Sequence, residues 1–459
     1  MHAHYKYPVY KSIFKPLLFW DDIEENIIKK YTIPKKYNKN LQVNEIDELL
    51  NKQVKNYNKM TKRNLEETLR FLFDKYREFL FISIRDNDIT GYHIYKYHSK
   101  NDWHQDLKTF NGQDFKKFYY EYLKKLKRPF IKYEDPEKWT SNNCLLQMSD
   151  WSRREGIPES YVSEIIQMIE FTKRKYNGLP DCDLIINRKD FPLLKLDKTP
   201  SYSNLYSKTK IMNQPDNPWI ICSQCRTLEH YDINYPSADE WISVTSPSEI
   251  VTDWKQKYAT AIWRGSSTGC GTTIKNNNRL KLANISNKWK SNNEFNQNNK
   301  IDNTPFLDAG ITRFVKKFKV TNQIIYYLNP KDFNFYLSKF MDFKDQTYCK
   351  YLLNIEGNVS AYRYGSLFST NSVVINIKSK YYLWFEPLLT KNEFVELNSD
   401  FDEYDIAETI KYLKQNDSKA EEFANNGVKF YNKYLNKDKI SEYWFKLMMK
   451  INDLQILKN

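Results

Sequence analysis

Residues 350–375 read KYLLNIEGNVSAYRYGSLFSTNSVVI. Two apolar, β-rich runs, YLLNI and SVVI, stand on either side of a short segment carrying Gly357, Asn358, Val359, Ser360 and Arg363. Apolar runs of this length beside Gly and Ser read as buried strands, and NVSAYRYGSLF between them reads as a helix. Strand, helix, strand implies a parallel sheet with a right-handed crossover. A helix that starts just after a strand turns free N–H groups and its positive dipole end toward an anion. There Gly357 lets backbone come close, Ser360 supplies a hydroxyl, and Arg363 supplies a fork of donors matched to phosphate oxygens.

The same grammar recurs upstream. ATAIWRG is strand-like, and RGSSTGCGTTIKNNNRLKL is a small-residue loop leading toward a helix that bears Arg279. Arg264, Gly265, Ser266, Thr268 and Arg279 would form the opposite wall of a diphosphate cradle between two strand ends. The alternative is that Arg264 and Arg363 pair with surface carboxylates and the glycines serve tight turns. Neither GSSTG nor EGNVSAYR matches a Walker loop or the GxGxxG fingerprint, so spacing alone leaves both readings open. Further upstream, Val162, Ile165, Ile166 and Ile169 mark one apolar face of a helix that begins near Pro158 and ends at Gly178 and Pro180. The strand CDLIIN follows and runs into Arg188-Lys189-Asp190-Phe191-Pro192, which puts Asp190 at a strand's carboxyl end, where open α/β sheets bind ligands. Asp190 is the catalytic candidate.

Bulk properties bound the alternatives. The 459 residues exceed one ordinary core, and 41% hydrophobic with 16% aromatic content favours a folded chain, although the mean hydropathy of −0.75 makes its surface very polar. Lys and Arg outnumber Asp and Glu by 71 to 57, for a net charge of +14. The lysines are dispersed rather than gathered in a basic arm, which argues against nucleic acid as the partner. Six dispersed cysteines suit a reduced compartment, and CSQC at Cys222–Cys225 lacks the second pair that a zinc site needs. His2 and His4 read as a loose terminus. No apolar run is long enough for a membrane helix, and neither a signal-peptide core nor a retention signal is present, so the expected location is cytoplasmic.

The ordered set of motifs resembles a known family. KYLLNIEGNVSAYRYGSLFSTNSVVI with YYLWFEPLL, preceded by LPDCDLIINRKDFP, YDINYPSADEW and TAIWRGSSTG and followed by KQNDSKAEEFANNGVKFYNKYL, is similar to the CAP10-like glycosyltransferases of family 90. That family includes fungal capsule xylosyltransferases and Rumi-type protein O-glucosyltransferases. The resemblance covers roughly residues 160–435 in consistent order. It implies a GT-B fold, α/β with two Rossmann-like lobes facing a cleft, and inverting chemistry without a metal or other cofactor. The donor would be a UDP-sugar, UDP-glucose or UDP-xylose, and the acceptor a glycan or protein hydroxyl. RKDFP places the family's catalytic base at Asp190; Ser266, Arg279 and Arg363 would be phosphate contacts, Gly357–Ser360 would line the donor site, and Arg264 and Gly265 lie beside it. The resulting division is an N-terminal helical extension over 1–61, an acceptor-side lobe over 62–248, a UDP-sugar lobe over 249–430 and a C-terminal helix, 431–459, returning to the first lobe. The alternative is a catalytically inactive relative acting as a glycan- or nucleic-acid-binding module.

Overall fold

A computed structural model describes residues 20–37, 41–76, 78–96, 160–199, 214–245, 253–269, 271–291, 305–315, 318–321 and 324–456. Expectations for His2, His4, Pro158, Cys144 and Cys270 therefore lie outside the described residues. The chain divides into one unit of Met1–Ser223, Glu229–Ile233 and Tyr443–Asn459 and another of Gln224–Leu228 and Asn234–Glu442. The protein is mixed α/β, with one five-stranded sheet in each half of its strand sequence.

The first sheet begins with a hairpin, β1 (Glu78–Arg85) and β2 (Asp88–Lys96), antiparallel throughout. Its two-residue turn places Asp86 and Asn87 at φ 52 and 66, the left-handed conformation that Asp and Asn tolerate best after glycine. β3 (Cys182–Asn187) pairs antiparallel with β1 and parallel with β4 (Ile221–Ser223), and β5 (Ile233–Asn234) completes the order β2-β1-β3-β4-β5. The sheet is therefore mixed: a two-residue connection can only turn the chain back on itself, so the hairpin forms an antiparallel edge. The helix Ser160–Tyr176 precedes β3 and buries Val162, Ile165, Met168 and Ile169. It stops where Asn177 and Gly178 adopt positive φ. A Cβ at Gly178 would lie 2.9 Å from that of Asn87, so glycine serves both the reversal and the close approach.

Two earlier helices, Glu45–Val54 and Lys62–Phe71, each start at a capping box, Asn44 with Asp47 and Thr61 with Asn64. The last helix, Lys437–Gln455, ties into the same unit: Lys446 is bonded to Asp47 and Asn44, and the Met60 N–H donates to the Leu454 carbonyl at 2.8 Å.

The second unit contains β6 (Tyr258–Ser266), β7 (Leu307–Arg313), a small antiparallel pair β8 (Phe318–Thr321) and β9 (Ile324–Tyr327), then β10 (Cys349–Asn354), β11 (Val373–Ile377) and β12 (Phe394–Leu397). Its main sheet runs β12-β11-β10-β6-β7 with every pair parallel. From β6 the chain moves outward to β7, returns to the other side of β6 to lay down β10, and then continues outward through β11 and β12. The direction of winding reverses between β6 and β10, which is where open α/β sheets leave a crevice at their carboxyl ends. Ala261, Trp263, Tyr351, Leu353, Val373 and Ile375 form the centre of a core that includes Leu280, Ala283, Ile406 and Ile410 from helices Asn278–Ser291 and Glu403–Gln415.

One local expectation changes. NVSAYRYGSLF is not a continuous helix: residues 355–363 are loop and turn, and helix is confined to Tyr364–Leu367 and a 3₁₀ turn at Phe368–Thr370. The carbonyls of Ile355 and Glu356 accept hydrogen bonds from Arg279 instead of pointing along a helix axis, and the Gly357 N–H donates to the Val359 carbonyl at 2.8 Å.

Candidate active site

In the second unit the loops after β6 and β10 are assembled around one guanidinium. Asn277 caps the helix Asn278–Ser291, its Oδ1 accepting the N–H groups of Arg279 and Leu280, and this puts Arg279 in the helix's first turn. From there Arg279 donates through Nε to the Glu356 carbonyl (2.8 Å), through Nη2 to the Ile355 carbonyl (3.0 Å), and through Nη1 to the Ser266 carbonyl (3.2 Å) and Thr268 Oγ1 (2.5 Å). Gly357 makes room for it, since a Cβ there would stand 3.2 Å from both Arg279 Nη2 and Thr268 Oγ1. Asn358 Oδ1 accepts the Gly269 N–H at 3.2 Å and joins the two loops a second time.

Arg363 reaches the same place from the turn before the short helix. It donates one hydrogen bond, Nη1 to the Arg264 carbonyl at 2.9 Å. Among the described residues neither Arg279 nor Arg363 has a carboxylate within ion-pair distance. Burial, with the nearby charge of Arg363, pushes the Arg279 guanidinium down to about 9, and burial pushes Arg363 down to about 10. Both shifts run against the cation because the guanidiniums are desolvated without an ion-pair partner among the described residues. The buried Trp263 lies beside both, with ring-centroid distances of 5.5 Å to Arg279 and 5.9 Å to Arg363, and its own Nε1 lacks a hydrogen-bond partner. Two guanidiniums and an indole N–H are all donors, so an acceptor-only anion is the complementary ligand.

Of the other expected donor-site residues, Gly265 and Ser266 end β6, and the Ser266 hydroxyl lies 3.4 Å from that of Thr268. Val359 is buried behind the loop. The Arg264 side chain is directed elsewhere: Nη2 meets Asp308 Oδ2 at 2.6 Å, and Lys290 meets the other oxygen at 2.6 Å. Burial alone would raise the Asp308 carboxyl, but hydrogen bonds from Arg264 and Lys290 outweigh it and hold the group below its usual range. What Arg264 offers the cradle is its backbone carbonyl.

Ser360 opens onto an adjoining polar pocket lined also by Asn354, Glu356, Tyr364, Asn376 and Glu386. Of these lining residues, Ser360 Oγ, Asn354 Oδ1 and the Tyr364 hydroxyl are buried without hydrogen-bond partners among the described residues. Buried polar atoms are ordinarily satisfied, so three orphans lining one pocket mark a place for a polar ligand or for water. Sequence reasoning missed Trp263, Asn354 and Tyr364; each sits in an apolar run that reads as core.

In the first unit, Asp190 is at the exposed tip of the turn after β3. Asn187 pins that turn: its Nδ2 donates to the Phe191 carbonyl (2.7 Å) and to Ser223 Oγ (2.9 Å), while its Oδ1 accepts the Lys189 N–H (2.7 Å). The buried Asp232 accepts the Leu193 and Leu194 N–H groups at 2.8 and 2.7 Å and holds the segment just beyond. Asp190 is therefore an exposed carboxylate on a fixed platform.

Two five-stranded sheets, one of them all parallel with Arg279 and Arg363 beside its winding reversal, define the chain as an α/β protein. The family is shown by sequence: residues 154–459 match the model of glycosyl transferase family 90, and the chain belongs to that family. It is 27% identical over 454 residues to uncharacterized protein 179R of Invertebrate iridescent virus 6, covering 84% of this chain and 37% of that protein. It is 25% identical over 293 residues to protein O-glucosyltransferase 3 of Rattus norvegicus (61% of this chain, 48% of that protein). To protein O-glucosyltransferase 1 of Homo sapiens it is 23% identical over 365 residues, covering 75% and 77%. The chain spans little more than a third of its viral relative's length and about half of the rat protein's.

Proposed function

We propose that this glycosyltransferase moves glucose or xylose from a UDP-sugar to a hydroxyl of a glycan or protein acceptor, with inversion at C1 and without a metal. The observation that carries the proposal is the half-buried pair Arg279 and Arg363, donor-only and without a carboxylate within ion-pair distance among the described residues. Asp190 acts as general base. It takes the acceptor hydroxyl's proton as that oxygen bonds to C1, and the bond from C1 to the β-phosphate oxygen breaks with its electron pair leaving on UDP. The charge that grows on the departing diphosphate is what two preorganised guanidiniums stabilise best. This reading assigns the cationic role at the diphosphate to the arginines. The GT-B reading, with acceptor on the first unit and UDP-sugar on the second, belongs to the same proposal.

A cytoplasmic location is proposed as well. Cys182, Cys222, Cys225 and Cys349 form no disulfide among the described residues, the CxxC pair Cys222 and Cys225 included, which fits a reducing compartment. Among the described residues no helix is long and apolar enough to cross a membrane.

Thermal shift against a panel of UDP-sugars, followed by transfer assays on Asp190→Asn, tests the reading. Stabilisation by a uridine nucleotide, with transfer in the variant reduced about 100-fold or more and nucleotide binding kept, is expected. No response to any uridine nucleotide together with salt-dependent binding to arbitrary polynucleotide would instead favour the inactive binding module.

A further inference from the structure

We propose that Trp263 is a positioning residue whose indole face holds Arg279 and Arg363 together as a like-charged pair ready for phosphate; this rests on the functional reading above. Two guanidiniums that share a buried site repel one another, and the usual remedy, a carboxylate between them, is not found among the described residues. A carboxylate would also compete with the ligand, because it offers the acceptor atoms that phosphate must supply. The face of an indole ring attracts both cations through its quadrupole and has no acceptor atom that ties up their N–H groups. Both guanidiniums lie within the roughly 6 Å range of this interaction, at 5.5 and 5.9 Å from the ring centroid.

Trp263 is placed to do this by strand geometry. It is fully buried on β6, its cross-strand neighbour on β7 is the small Ala309, and the position two residues on is Gly265. A Cβ at Gly265 would approach the indole Cζ2 to 2.6 Å, so the ring packs closely against Gly265 near the strand's end. The arginines use it differently. Among the described residues Arg279 makes four hydrogen bonds to the loops, whereas Arg363 makes one, to the Arg264 carbonyl. Arg363 therefore has most of its five N–H donors left for a ligand and the fewest bonds fixing it, which makes the ring the principal remaining restraint on its plane.

The test titrates UDP, uridine and inorganic pyrophosphate into the full chain and into Trp263→Leu and Trp263→Phe. Leucine fills much of the volume without a π face, and phenylalanine keeps a face. The inference expects UDP and pyrophosphate to bind about tenfold or more weakly to Trp263→Leu, uridine to change less than about threefold, and Trp263→Phe to stay within about threefold of wild type. Equal losses in Leu and Phe, or uridine falling in step with UDP, would overturn it and leave Trp263 as core packing. If the leucine variant does not fold, fluorinated tryptophans placed at 263 weaken the face at nearly constant size; an affinity for UDP that stays flat across that series overturns the inference too. Wild type that binds pyrophosphate but not UDP refutes the nucleotide reading while the Trp263 comparison proceeds on pyrophosphate, and wild type that binds neither refutes both.

Discussion

Arg363→Met should raise the stability of the ligand-free protein while removing most of its affinity for UDP. Burial moves this guanidinium from its ordinary 12.5 to about 10, and at about 1.4 kcal/mol per tenfold change the folded state disfavours the cation by about 3 kcal/mol. Arg363 is only half-buried over its whole surface, so water screens part of that, and about 1 to 2 kcal/mol is a fairer figure. Against this stands one lost hydrogen bond, to the Arg264 carbonyl, worth about 1 kcal/mol. Methionine occupies similar volume and makes no electrostatic demand. The ligand-free melting temperature should therefore be unchanged or higher by up to about 4 °C. UDP binding loses a charge-assisted fork to phosphate, about 2 to 4 kcal/mol, or roughly 30- to 1000-fold in Kd. Differential scanning fluorimetry with and without UDP, and calorimetric titration, measure both quantities. A melting temperature several degrees lower, with UDP affinity intact, would show Arg363 to be structural and refute the reasoning.

Three further outcomes are expected. Gly357→Ala puts a methyl 3.2 Å from Arg279 Nη2 and Thr268 Oγ1, so the guanidinium must shift by a few tenths of an ångström; UDP affinity should fall about 3- to 10-fold by titration. Asp308→Asn removes the charge that pairs with the enclosed Arg264 and should cost about 2 to 4 kcal/mol in denaturant unfolding, with UDP affinity changed less than about threefold. Burial pushes the Glu240 carboxyl up to about 8, against the hydrogen bonds it accepts from Ser237 and Trp384. Because this folded-state value is raised above the ordinary 4.5, Glu240 contributes stability below that value and loses it as pH rises toward 8, by about 1 to 4 kcal/mol. Melting curves of Glu240→Gln between pH 5 and 8 should fall less steeply than those of wild type, and parallel curves would show that Glu240 is ionised throughout.

Much of this architecture was written in short-range pattern. Uniform apolar runs marked β3, β6, β10 and β11, because strands covered on both faces need no alternation, and the small polar residues after three of them marked the loops that carry Asp190, Arg279 and Arg363. What sequence could not show depends on contacts far along the chain. The helix expected over NVSAYRYGSLF is largely loop because Arg279, 76 and 77 residues upstream of the carbonyls it binds, draws Ile355 and Glu356 out of helical geometry. Arg264 and Arg363 look equally suited to phosphate, yet Arg264 is taken by Asp308, which β6 and β7 bring within reach only once they are in parallel register. The mixed first sheet has a local cause, the two-residue turn at Asp86 and Asn87, but its pairing with β3 crosses a long stretch of chain.

On the proposed function, the division of labour between the arginines says how the donor site reaches its working form. Arg279 gives four of its five N–H donors to carbonyls from both loops and a threonine hydroxyl, so besides its share in meeting phosphate it ties the loops after β6 and β10 together. Arg363 keeps its donors and is charged at a cost that only an anion relieves. A site built in this way draws ligand-binding energy from relief of electrostatic stress rather than from loop ordering, and so does not pay the entropy of closing. The two costs are separable: removing Arg279 should loosen the loops and weaken every ligand of the site, while removing Arg363 should leave the loops ordered and weaken only ligands that carry phosphate.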